Sequence, residues 1–109
     1  MREIRGLNDF VDVTVDDNVI ITFYNSWCPI CKMVQSSLEQ FVYYHPEIVL
    51  ARMNVNEQPQ LASNLSVVNV PMTFIYKDGK LFERIPGMPN LEHLSDIYYS
   101  MGNDFDDFE

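Results

Sequence analysis

The chain has 109 residues, enough for one domain with a real core and too few for two. Hydrophobic residues make up 47%, including seven phenylalanines, six tyrosines and one tryptophan, which points to a globular protein. Seven basic residues stand against sixteen acidic ones, for a formal charge of −9, and so acidic a surface makes nucleic acid and anionic membrane poor partners. No apolar run approaches the roughly 20 residues of a membrane span. No N-terminal stretch combines a basic start, an apolar run and a small-residue cleavage site, so the expected location is cytoplasmic.

In chain order, Glu3-Ile4-Arg5 reads as a short first strand. Leu7 to Val13 follows as a short helix with Leu7, Phe10 and Val11 turned inward, before the polar turn Asp16-Asp17-Asn18. Val19 to Tyr24 is an apolar, β-branched run of the kind that forms a buried strand. Beyond it, Val34, Leu38, Phe41 and Val42 recur at helical spacing, which places Pro29 in a first helical turn and ends the helix near Tyr44-His45-Pro46. Ile48 to Val55 is a second β-rich run. Asn56 is expected to cap a short helix through Leu65 whose Leu61 and Leu65 face the core. Met72 to Tyr76 and Leu81 to Ile85 flank Asp78-Gly79, a strong hairpin signal. Asn90 then caps a last helix with Leu91, Leu94, Ile97, Tyr98 and Met101 on one face and Gly102 as its stop. Strands alternating with helices, then a hairpin, predict an α/β fold: a central mixed sheet of four or five strands with helices on both faces, spanning 1–102. Residues 103–109 read as a frayed acidic tail, with Phe105 and Phe108 leaving room for a docking motif.

The chain is organised around Asn25-Ser26-Trp27-Cys28-Pro29-Ile30-Cys31-Lys32, which holds both cysteines and the tryptophan. Cys28 falls at a helix N-terminus. There the unpaired amides and the positive dipole end favour a thiolate, so its pKa is expected below the free value of about 8.5. Cys31, one turn on and under the helix, suits the role of resolving thiol. A lone pair at this spacing in a reducing compartment points to catalysis rather than structure. A pair of inert buried thiols and half of a metal site are the other readings, but zinc needs four ligands and no second histidine follows His45 at finger spacing. His45 and His93 read as helix-end or surface residues. Met33, Met53, Met88 and Met101 read as core or groove filler.

Trp27-Cys28-Pro29-Ile30-Cys31-Lys32 resembles the Trp-Cys-x-x-Cys-Lys motif of the thioredoxin family. Val70-Pro71 followed by a strand and Lys77-Asp78-Gly79 resembles that family's cis-proline segment and hairpin, and Gly87 matches its glycine beside the substrate groove. The match covers nearly the whole domain. It implies a thioredoxin fold, a monomer, and a dithiol-disulfide cycle of Cys28 and Cys31 that reduces protein disulfides. Trp27, Pro29, Ile30, Val70, Pro71, Gly87 and Met88 would line the groove for extended polypeptide. The resemblance also implies no bound cofactor and no metal, with electrons supplied by an NADPH-dependent flavoenzyme, thioredoxin reductase. It alone implies a cis Val70-Pro71 bond, since the residues by themselves favour trans.

Several positions depart from the family pattern. Thr22 stands where typical members carry a buried aspartate below the second cysteine, and Arg52 stands near their lysine, so deprotonation of Cys31 is expected to rely on water or on the leaving thiolate. Ser36 replaces a helix-kinking proline, Pro29-Ile30 the usual Gly-Pro, and Met72 a threonine. Residues between the cysteines tune the potential, so a disulfide oxidant or isomerase remains an alternative. A redox-independent binding module is the rival from another class.

Overall fold

The structure is a computed structural model that describes residues 1–102; the expected acidic tail lies outside the described residues. The elements run β1 (Arg2–Glu3), α1 (Leu7–Thr14), β2 (Asn18–Tyr24), α2 (Pro29–Tyr43), β3 (Val49–Asn54), α3 (Pro59–Asn64), β4 (Met72–Lys77), β5 (Lys80–Pro86) and α4 (Leu91–Ser100). They form one five-stranded sheet in the order β1-β3-β2-β4-β5. β1, β3 and β2 are mutually parallel, and β4 and β5 run antiparallel to their neighbours.

Central β2 explains the layering. A strand covered on both faces reads as a continuous apolar run, and β2 is buried at every position before Tyr24. Its side chains alternate. Val19, Ile21 and Phe23 enter one core with Val13 of α1 and Ala62 of α3, while Ile20 enters the other with Leu38 and Phe41 of α2 and Leu94 of α4. So α1 and α3 cover one face of the sheet, and α2 and α4 the other.

The hairpin between β4 and β5 turns at Asp78 and Gly79, whose φ values of 53° and 82° are both positive. A two-residue type I′ turn needs this, and Asp-Gly supplies it at little cost. At α4 the Asn90 carboxamide oxygen accepts from the amides of Glu92 and His93 at 2.8 and 3.1 Å. Asn90→Ala is therefore expected to cost about 1 kcal/mol, read as an earlier midpoint in urea unfolding with unchanged slope.

Three expectations are corrected. The first strand is Arg2–Glu3, and Ile4 follows it as a core residue. In α1, Leu7 and Val11 are exposed; the inward side is Val13 and Thr14, with Phe10 partly buried. Eight residues with apolar groups at 7, 10, 11 and 13 span more than one helical face, and the packed face is the one that reaches Tyr76, whose ring lies 6.0 Å from Phe10. Finally, Asn56 does not cap α3. Gln58 holds the cap position without a side-chain bond; the Gln58 amide, which Asn56 would accept as a cap, is already given to the Asn54 carbonyl at 3.0 Å, and Pro59 has no amide hydrogen to give.

Candidate active site

The register brings the site segments to one end of the sheet. Phe23 pairs with Met72, and Met72 with Pro86. The chain leaving β2 towards Cys28, the chain entering β4 from Val70-Pro71, and the chain leaving β5 through Gly87 therefore meet at the same edge. One hydrogen bond joins the last two. The Gly87 amide donates to the Pro71 carbonyl at 3.1 Å, and the Val70-Pro71 bond is cis. Gly87 has φ of 76°, a conformation in which a side chain would be strained.

Cys28 is the N-cap of α2 and Pro29 its first residue. The Cys28 sulfur accepts from the Cys31 amide at 3.2 Å, so it faces the helix N-terminus. Cys28 and Cys31 are joined in a disulfide, with Cα atoms 5.3 Å apart. Their surroundings differ: Cys28 is half-buried, whereas Cys31 is 1% exposed. A reagent can reach the first sulfur and not the second. Around Cys28 the surface is apolar and open, with Trp27 71%, Ile30 50% and Met88 48% exposed. Val70, Pro71 and Gly87 are half-buried.

The loop before Cys28 is held from below. The Asn25 side-chain oxygen accepts from the Trp27 amide at 3.1 Å. Asn54, buried at the end of β3, donates to the Ser26 hydroxyl at 3.2 Å while its oxygen accepts from the amides of Asn56 and Glu57. Asn54 is a supporting residue that sequence reasoning missed. The available signal was an asparagine closing an apolar strand before a polar turn, where its side chain can hold the backbone two residues on. Asn54→Ala leaves these amides without their acceptor and is expected to cost about 1–3 kcal/mol, measurable by guanidinium unfolding of the oxidised protein.

A second polar group lies beside it. The Arg52 Nε donates to a Glu3 carboxylate oxygen at 2.7 Å, and its Nη1 to Gln35 Oε1 at 2.9 Å. The Tyr24 hydroxyl donates to the other Glu3 oxygen at 2.8 Å. Burial, followed by that bond to Glu3, pushes the Tyr24 pKa up. These bonds join β1, β2, β3 and α2.

Among the described residues no cluster of three or more His, Cys, Asp or Glu could hold a metal. The gap between the sheet, α2 and α4, lined by Ile20, Phe41, Ile75 and Leu94, measures about 10 Å³, room for one water at most.

The family model for thioredoxin matches residues 7–99. The chain belongs to the thioredoxin family. Among its relatives is a thioredoxin of Chlamydia trachomatis, 29% identical over 94 residues that cover 86% of this chain and 92% of that one. Mitochondrial thioredoxin-3 of Saccharomyces cerevisiae is 33% identical over 88 residues, 80% of this chain and 69% of the relative. Among solved structures, a mutant thioredoxin from Halobacterium salinarum superposes with a TM-score of 0.85 at 27% identity, covering 96% of this chain and 93% of the other. The oxidised mitochondrial thioredoxin 3 of S. cerevisiae gives 0.80 at 29% identity, covering 88% and 91%. The five-stranded mixed sheet with four helices is thus the thioredoxin fold. With its Trp-Cys-x-x-Cys pair the chain is a thiol-disulfide oxidoreductase of the protein-disulfide reductase class.

Proposed function

We propose that Cys28 is the nucleophile and Cys31 the resolving thiol in the reduction of protein disulfides. The observation that carries this is the asymmetry of the pair: a reachable sulfur that accepts an amide at the N-terminus of α2, and a buried one a turn further along. In the dithiol state the helix end favours the Cys28 thiolate. That thiolate attacks a substrate disulfide, forming a mixed disulfide and releasing one substrate thiolate. The Cys31 thiolate then attacks Cys28; the bond to substrate breaks, and its electron pair leaves on the second substrate sulfur, which takes up a proton.

Substrate lies in the groove formed by Trp27, Pro29, Ile30, Val70, Pro71 and Gly87. The Val70 backbone pairs with an extended segment, a short case of strand addition, and the exposed Trp27 and Ile30 cover its apolar side chains. The cycle closes with electrons from NADPH through thioredoxin reductase, in the cytoplasm, with the protein as a monomer and without a cofactor of its own.

The deciding experiment is the reduction potential of the Cys28-Cys31 pair, equilibrated against glutathione or a dithiol buffer. Reduction as the physiological direction requires a value below roughly −250 mV. A value near −150 mV or above is that of a disulfide donor and overturns the reading.

A further inference from the structure

Two buried hydroxyls stand out on the sheet face covered by α2. Thr22 and Thr73 are both 0% exposed, they are directly opposite each other in the β2–β4 register, and no protein group bonds either hydroxyl. Such groups are nearly always partnered, because burial without a bond carries the full cost of desolvation. Among the described residues they are the only buried side-chain polar atoms left so.

Their position in the sheet gives the reason. The register aligns Glu3, Arg52, Thr22, Thr73 and Ile85 in one row across all five strands. By strand alternation, Arg52, Thr22 and Thr73 share the face of Leu50, Ile20 and Ile75, which is packed under α2 and α4. Gln35 in the second turn of α2 bonds Arg52, the register neighbour of Thr22, so the start of the helix lies over this row. The buried residue one turn before Gln35 is Cys31.

We propose that Thr22 and Thr73 are positioning residues for Cys31: their hydroxyls, unpartnered while the disulfide is closed, donate to the Cys31 sulfur once it is reduced. Two neutral donors favour a buried thiolate without adding a charge to the core. They hold the sulfur ready to return to Cys28. The proton that Cys31 loses goes to solvent or to the leaving substrate sulfur, since a hydroxyl does not keep it. The pairing rests on the proposed cycling of Cys28 and Cys31.

The two redox states then respond differently to loss of the hydroxyls. Valine removes an unbonded group from the oxidised protein and a bonded one from the reduced protein. Thr22→Val, Thr73→Val and the double variant are expected to shift the equilibrium with glutathione towards the disulfide, about tenfold for the double variant, equivalent to ~30 mV. Thr22→Ser and Thr73→Ser keep the hydroxyl and stay within about twofold of wild type. In the unmodified protein, the Cβ resonances of both threonines move on reduction. Valine variants with an unchanged equilibrium, or threonine resonances that ignore reduction, overturn the pairing while the function stands. A wild-type pair that does not exchange with glutathione at all overturns the functional reading and the pairing with it.

Discussion

Cys31→Ser is expected to accumulate covalent complexes with disulfide substrates, whereas Cys28→Ser is expected to form none and to reduce nothing. The difference follows from access. The half-buried Cys28 sulfur sits on the open surface beside Trp27, and in Cys31→Ser it still attacks but nothing then displaces the substrate. In Cys28→Ser the remaining thiol is 1% exposed, and substrate cannot reach it. Turnover of both variants is expected to fall by about a thousandfold or more, the scale seen when a covalent nucleophile or its partner in a joint step is removed. Non-reducing electrophoresis of variants incubated with a disulfide protein, followed by mass spectrometry of the adducts, reads the result. Equal trapping by the two variants contradicts the assignment of roles.

Phe23→Ala is expected to lower stability by about 3–5 kcal/mol. Phe23 is fully buried in the core between the sheet, α1 and α3, with the Phe74 ring packed edge-on at 4.7 Å. It lies in the middle strand, so the ring's loss leaves a cavity that neither neighbouring strand can close without breaking its ladder. A domain of this size has about 5–15 kcal/mol in total, so the variant loses a large part of it. Guanidinium unfolding should give a much lower midpoint at nearly the same slope. A loss below about 1 kcal/mol would mean that the core repacks around the gap.

Legibility in the sequence tracked how local each determinant was. β2, α2, the Asp78-Gly79 hairpin and α4 with its Asn90 cap each carry their signal within a few residues: an unbroken apolar run, a helical period after a proline, a dipeptide suited to positive φ, an asparagine before an amphipathic stretch. α1 was harder, because Leu7 and Val11 look as apolar as Val13 and only the position of the sheet decides which side is covered. Asn56 looked like a cap because nothing near it announces that the Asn54 carbonyl takes the Gln58 amide first. The Glu3–Arg52–Gln35 group joins residues 49 and 17 apart in sequence, and Asn54 reaches Ser26 across 28, so neither is visible before the strands are in register. The same holds for Thr22 and Thr73. Thr22 stands out only through the family resemblance and Thr73 reads as an ordinary strand residue, and only their pairing makes the two threonines into one buried polar spot.

The two borders of the sheet bear on how this protein survives its own trade. If an extended substrate pairs with the Val70 backbone as proposed, any other unpaired strand would invite such segments too. β1 offers only two residues. β5 interleaves Lys80, Glu83 and Arg84 with its exposed Leu81 and Phe82, ends in Pro86, and pairs with β4 through an irregularity at Ile75 and Tyr76. Charge, proline and irregular pairing are the features that keep an edge from templating further strands. Arg84 is also folded across the sheet, its guanidinium 4.7 Å over the Phe74 ring and donating to the carbonyls of Leu65 and Ser66. On the proposed cycle, an extended substrate is thus taken up at one place and released, and the borders of the sheet are not built to seed its aggregation.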